Sequence, residues 1–231
     1  MNDILFPTPA PVLLPMRDGS GFYPVGRIFC VGRNYADHAR EMGHEVDREA
    51  PFYFTKSPAH LMLSGQAMRY PPGTDDLHHE IEFVVALGAE AAFVSADEAM
   101  SRVFGYAVGL DMTRRDLQGQ AKDKRRPWDT GKDFEQSAIV APLSRADEFG
   151  LPGPQQIELE LNGEPVQRAQ LADMIWSVPE IIAHLSTLYQ LGAGDLIFTG
   201  TPAGVGAVRP GDRLHGEIDG LAPVETTIAA R

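Results

Sequence analysis

Proline and glycine set the first limit on this chain. Eighteen prolines and 23 glycines interrupt its 231 residues, so the apolar runs are cut to the length of strands rather than of long helices. Two breaks have the composition of hairpin turns. Asn162-Gly163 lies between Ile157–Leu161 and Glu164–Arg168, and Asp219-Gly220 lies near the C-terminus. Further strands are expected at Arg27–Val31, Glu80–Leu87, Phe104–Leu110 and Asp195–Thr199. A helix is expected over Asn34–Met42, stopped by Gly43, and another from the cap Ser177 through Pro179 to Leu191, closed by Gly192. Strands alternating with helices could also form a parallel α/β sheet, but the helices are few and two turns are hairpins. The expectation is a β-rich, mixed α+β fold. Residues 1–23, with Pro7, Pro9, Pro11 and Pro15, read as an extended arm, and 24–231 as a single catalytic domain with no linker-like stretch.

Composition removes several function classes. Hydrophobic residues at 43% and charged residues at 23% are globular values, not those of a disordered chain. One cysteine, Cys30, permits no intrachain disulfide and reads as a core residue. No basic stretch leads into an apolar core within Met1–Met16, and no run is long enough to span a bilayer, so a cytoplasmic protein with no membrane partner is expected. The net charge of −12 repels nucleic acid. Against that background Met112–Lys132 holds seven basic residues and three acidic ones. It reads either as a solvated helical face or as a local field for a small anion.

Four features could carry chemistry. Glu80 and Glu82, two apart on an otherwise apolar strand, share a face at ~6.6 Å spacing, and Asp111 ends a second apolar strand. Three converging carboxylates would suit a hard cation, Mg²⁺, Mn²⁺ or Ca²⁺. By spacing alone the solvent face of an edge strand is the better fit for the glutamates, since charged residues usually stay in water. His38 and Glu41 lie three apart on one helix face, as a water-activating base and its orienting carboxylate or as a surface pair. Lys132 could bind a carboxylate or oppose an oxyanion. Thr199-Gly200-Thr201-Pro202-Ala203-Gly204-Val205-Gly206 follows a strand and could bring backbone N–H groups to an anion. It lacks the third glycine and the following helix of a dinucleotide site. His78 and His79 could support the carboxylates or be plain loop residues.

Taken together, these segments resemble the fumarylacetoacetate hydrolase family. The resemblance rests on Val31-Gly32-Arg33-Asn34-Tyr35-Ala36-Asp37-His38 with Glu41, on Leu77-His78-His79-Glu80-Ile81-Glu82, on Gly105 through Thr113, and on Thr199 through Gly206, in that order. It implies a mixed β-sandwich roll and a homodimer. It implies Mg²⁺ or Mn²⁺ on Glu80, Glu82 and Asp111, a catalytic set of His38, Glu41 and Lys132, and substrate contacts at Arg33, Asn34, Gln118, Gly200 and Thr201. Within the family, Asp111 to Gln118 and Arg126-Pro127-Trp128 are most similar to hydrolases of 2,4-dioxo acids (acylpyruvates), with fumarylpyruvate and the gentisate pathway implied. Oxaloacetate decarboxylation, dienoate isomerisation and a non-catalytic ligand-binding module remain alternatives. Phe54-Thr55-Lys56-Ser57-Pro58 departs from the family's pattern, in which proline directly follows the lysine.

Overall fold

The computed structural model describes residues 5–41 and 48–231. The strands in chain order are β1 (Val12–Pro15), β2 (Phe22–Val25), β3 (Arg27–Gly32), β4 (Phe52–Lys56), β5 (Leu61–Leu63), β6 (Ala67–Arg69), β7 (Leu77–His79), β8 (Ile81–Leu87) and β9 (Val103–Asp111). They continue with β10 (Thr113–Arg114), β11 (Ala138–Val140), β12 (Ser144–Arg145), β13 (Gln156–Leu161), β14 (Glu164–Gln170), β15 (Asp195–Phe198), β16 (Gly206–Val208), β17 (Arg213–Ile218) and β18 (Val224–Ala229). The α-helices are short: α1 (Ala36–Glu41), α2 (Ala96–Ala99), α3 (Arg115–Asp123), α4 (Asp129–Lys132), α5 (Ala146–Phe149) and α6 (Val178–Leu188).

The largest sheet has the order β4-β3-β15-β8-β9-β11-β5, with β12 also on β9. Its β15–β3 and β11–β5 pairs are parallel, whereas β8–β9, β15–β8 and β3–β4 are antiparallel. A second sheet runs β14-β13-β17-β18-β6, and a small third one runs β10-β7-β16. The strand-rich mixed architecture therefore stands. The Asn162-Gly163 turn forms as expected, both residues at positive φ (57° and 86°) between β13 and β14.

Strand alternation explains how the core is shared. Ile81, Phe83, Val85 and Leu87 face the second sheet and α6, packing with Ile157, Leu159, Leu214 and Ile182. Val84 and Ala86 face the other way, with Leu14, Tyr23, Cys30 and Phe198. A one-residue slip of β8 would drive Glu82 into the first layer, so burial on both faces fixes the register.

Three expectations about elements are corrected. The arm over 1–23 is not simply extended: Val12–Pro15 pairs with Phe22–Val25 as an antiparallel ribbon, and Leu14 is fully buried. The boundary between arm and domain thus falls inside β2. Prolines are tolerated there because a two-stranded ribbon has open edges where a missing N–H costs nothing. Helix α1 starts only at Ala36, since Asn34 and Tyr35 are tied to residues 174–176, Tyr35 by a bridge to Met174. Its expected end at Met42-Gly43 lies outside the described residues. Helix α6 has the Ser177 cap with Glu180 completing a capping box, but it ends at Leu188 because Leu191 pairs with Ala91.

Candidate active site

Register brings the three carboxylates together. Ile81 pairs with Leu110 on β9, so Glu80 and Asp111 are cross-strand neighbours on one face, joined by Asp111 N–H donating to the Glu80 carbonyl at 2.8 Å. Glu82 is opposite Gly109, where a Cβ would come within 2.8 Å of the Val84 and Phe198 side chains. All three carboxylates are buried, and one oxygen from each lies within 4.8 Å of the others. β8 lies between β15 and β9, which excludes the edge-strand reading of these glutamates.

The wall is electrostatically divided. Lys132 Nζ, on α4, donates to Glu80 Oε2 (2.8 Å), Asp111 Oδ2 (2.7 Å) and the Thr113 hydroxyl (2.7 Å). Arg115 pairs with the other oxygen of Glu80, and it also donates to Gln118 Oε1 and His78 Nδ1. Burial alone would raise Glu80, but Lys132 and Arg115 outweigh it and hold its carboxyl well below the ordinary range. Among the described residues Glu82 forms no ion pair. Burial, Asp111 and Glu80 push it well above the carboxylate range, against the more distant charge of Lys132 and the N–H of Gly200 at 2.7 Å. Lys132 is raised because Asp111 and Glu80 overcome its desolvation. Asp111 Oδ1 lies 2.8 Å from Lys56 Nζ yet accepts no aligned hydrogen bond. An all-oxygen set with an orphaned buried acceptor and a carboxyl made unstable by its neighbours fits a divalent cation.

One member of the dyad faces the same pocket. His38, on α1, is buried and lines it, with Nδ1 3.3 Å from Glu41 Oε2. Burial pulls the imidazole below its usual pKa, more than Glu80 and Glu41 raise it. Glu41 is anchored in turn by Gly204 N–H, 3.1 Å from each oxygen. The loop after β15 therefore serves both sides: Gly200 at φ 98° turns its N–H to Glu82, and Gly204 at φ 96° turns its own to Glu41. Arg33, Gln118 and Thr201 line the pocket as expected.

Two expected substrate contacts are placed differently. The Asn34 amide donates to the Trp176 and Thr199 carbonyls (2.9 and 2.8 Å) and accepts from Trp176 N–H at 2.7 Å, so its hydrogen-bonding capacity is spent fastening backbone. Gly200 commits its N–H to Glu82 rather than to the pocket. His78 belongs to β7 and is held between Asp76 and Arg115.

Sequence reading left Lys56 without a role and passed over Gln167. Lys56, fully buried, contacts Asp111 and donates to the Lys132 and Met112 carbonyls, which ties β4 to the carboxylate wall. Gln167, on β14 of the second sheet, accepts from Ile81 N–H (3.1 Å) and lies 3.0 Å from His79 Nδ1. It donates to Thr201 Oγ1 and the Pro202 carbonyl, both at 2.8 Å. Its one amide thus fixes the strand beside Glu80 and bearing Glu82 relative to the loop after β15. A glutamine amid the alternation of a hairpin gave no signal for this.

The family model for the C-terminal region of fumarylacetoacetate (FAA) hydrolase matches residues 27–229. The chain belongs to the fumarylacetoacetate hydrolase family. A fumarylpyruvate hydrolase of a Ralstonia species is 49% identical over 190 residues, 81% of this chain and 98% of that protein. An oxaloacetate tautomerase of Escherichia coli K12 is 39% identical over 199 residues, 86% and 90% of the two chains. The crystal structure of fumarylpyruvate hydrolase from Pseudomonas aeruginosa in complex with Mn²⁺ and pyruvate superposes with a TM-score of 0.96 at 44% identity, covering 99% of this chain and 100% of that one. The α+β fold is that of the family, and the three-carboxylate cluster is its candidate divalent-metal site.

Proposed function

We propose that this family member is a metal-dependent hydrolase that cleaves the C3–C4 bond of a 2,4-dioxo acid, with fumarylpyruvate as substrate and fumarate and pyruvate as products. One observation carries the reading: His38, with Glu41 hydrogen-bonded behind it, lines the same pocket as the three carboxylates. Glu80, Glu82 and Asp111 would hold Mg²⁺ or Mn²⁺. When bound, the ion supplies Lewis-acid polarisation of the substrate's 1-carboxylate and 2-oxo group. The rest falls to the chain. With Nδ1–H turned to Glu41, His38 keeps Nε2 free to take a proton from water. The water oxygen bonds to C4, and the Lys132 ammonium opposes the negative charge on the C4 oxygen. As C3–C4 breaks, its electron pair passes to C3 and the 2-oxo group, and a proton delivered to C3 gives pyruvate. Burial of His38 keeps the imidazole neutral, the form a base requires. The similarity to fumarylpyruvate hydrolases supports this choice of substrate. A homodimer and a place in aromatic-compound catabolism belong to the same proposal.

A second reading is chemistry on oxaloacetate, supported by similarity to the tautomerase. It requires no water attack, and the dyad would instead move a proton between C3 and the 2-oxo oxygen. Purified protein assayed against fumarylpyruvate, acetylpyruvate and oxaloacetate, with and without Mg²⁺ or Mn²⁺, separates the two. Metal-dependent loss of the acylpyruvate enol absorbance is expected. Turnover of oxaloacetate alone would replace the hydrolase reading.

A further inference from the structure

The pocket contains a second charged region, and it differs from the carboxylate wall. Arg33, Lys122 and Trp128 contribute to its lining. Trp128 packs edge-on against Phe52, with ring centroids 5.3 Å apart at 90°. Each ring carries one cation. The Arg33 guanidinium lies 5.4 Å from the Phe52 centroid, and Lys122 Nζ lies 5.0 Å from that of Trp128.

These cations are held by ring faces rather than by acids. Lys56, Lys132 and Arg115 are each within ion-pair distance of Glu80 or Asp111. Among the described residues, no carboxylate pairs with Arg33 or Lys122. Burial and the neighbouring Arg115 and Arg33 bring the Lys122 ammonium down to about 8, the mark of a cation short of negative charge. Arg33 moreover adopts φ 57°, a left-handed backbone that a non-glycine residue takes only where its surroundings impose it. Two partly buried, uncompensated cations on a rigid aromatic pair form a preorganised receptor for an anion.

We propose that Arg33 and Lys122, seated on the Phe52–Trp128 pair, bind a carboxylate at the far end of the acyl arm, so that the enzyme selects acylpyruvates whose arm ends in an anion over those with an uncharged arm. The proposal rests on the acylpyruvate reading and assigns its specificity to residues outside the reacting centre. The carboxylate wall takes the dioxo end, and the ring-mounted cations measure the length and charge of the other.

The test compares the parent with Lys122→Met and Lys122→Arg. For the parent, kcat/KM should be greater for fumarylpyruvate than for acetylpyruvate. In Lys122→Met that ratio should fall about 10- to 100-fold, the range expected when a charged hydrogen bond to a carboxylate is lost. The loss should come mainly through KM, and Lys122→Arg should restore most of the ratio. An undiminished ratio in Lys122→Met, or a parent that prefers acetylpyruvate, overturns the proposal. Calorimetric binding of fumarate and of crotonate, which has a methyl group in place of the second carboxylate, is measured on the same Mn²⁺-loaded proteins. It needs no turnover. If the parent hydrolyses neither acylpyruvate, the reaction assignment falls, and the subsite stands only if Lys122→Met weakens fumarate binding selectively. Equal binding of both acids by both proteins removes the subsite.

Discussion

The carboxylates lie on or beside β8 and β9, in the interior of the largest sheet, whereas His38 and Glu41 lie on α1, a helix of only six residues. The first region is fixed by strand register and layers of buried side chains on both faces. The second is fixed by a few polar contacts, among them the Gly204 N–H on Glu41. On the proposed function, ground-state binding is thus built into the core, and the group that would handle water is fastened to it by these few contacts. The two should fail separately, and Gln167, which ties strand to loop, should be where they fail together.

The largest expected effect is on the core side. Glu82→Gln removes one ligand from the metal set but retains shape, and it replaces a carboxyl that its neighbours already disfavour as an anion. Mn²⁺ affinity, followed by calorimetry, should drop by about 100-fold or more, with acylpyruvate turnover near background and thermal melting little changed. Parent-like Mn²⁺ affinity would remove Glu82 from the set. Extensive treatment with EDTA should likewise abolish turnover of the parent, with Mg²⁺ or Mn²⁺ restoring it.

His38→Ala tests the other side. Loss of a general base typically costs ~10²–10⁴-fold in rate, so kcat for hydrolysis should fall by that order while KM and Mn²⁺ affinity hold. Any oxaloacetate decarboxylation should fall far less, since no water attacks there. Equal losses in both activities would make His38 a structural residue.

Gln167→Leu should cross the divide. It orphans the buried Ile81 N–H and deprives Thr201 and Pro202 of a donor, at ~1–3 kcal/mol for each buried group left unpaired. Lower stability in urea, a higher KM and weaker Mn²⁺ binding should appear together, with Gln167→Glu recovering the Ile81 contact alone. A variant that melts early but keeps both KM and Mn²⁺ affinity would reduce Gln167 to a packing role. The smallest effect is on pH. Because burial lowers the His38 pKa, the neutral base persists into mildly acid solution, and the acid limb of kcat should lie below about 6.5, the free-imidazole value. A limb above that value would mean that Glu41 and Glu80 outweigh burial.

The same contrast governs what could be read from sequence. The carboxylates were legible because charges on an apolar strand are costly unless they meet a partner. Helical spacing placed His38 and Glu41 on one face but left a surface pair open, and only the family resemblance marked them as a dyad. Asn34 was misplaced because its neighbours in the chain face the pocket, while its own amide is claimed by Trp176, 142 residues away. Gln167, the Lys56–Asp111 contact and the Phe52–Trp128 pair depend on strand order and long-range packing, which local periodicity does not encode. The N-terminal prolines suggested an extended arm because composition does not reveal that a ribbon with open edges forms after Pro11 and accepts Pro15.

The glycine at position 204 carries one more consequence. A Cβ there would fall 2.0 Å from the Val166 carbonyl oxygen on β14, so the loop backbone lies directly against a strand at the end of its sheet. An uncovered terminal strand invites pairing with another molecule. The loop after β15 therefore also acts as a local shield where it meets Val166 and Gln167, and that contact constrains its length. Attempts to widen substrate range by inserting residues between Thr201 and Gly206 would lift that shield, and the first symptom to expect is precipitation during expression rather than altered kinetics.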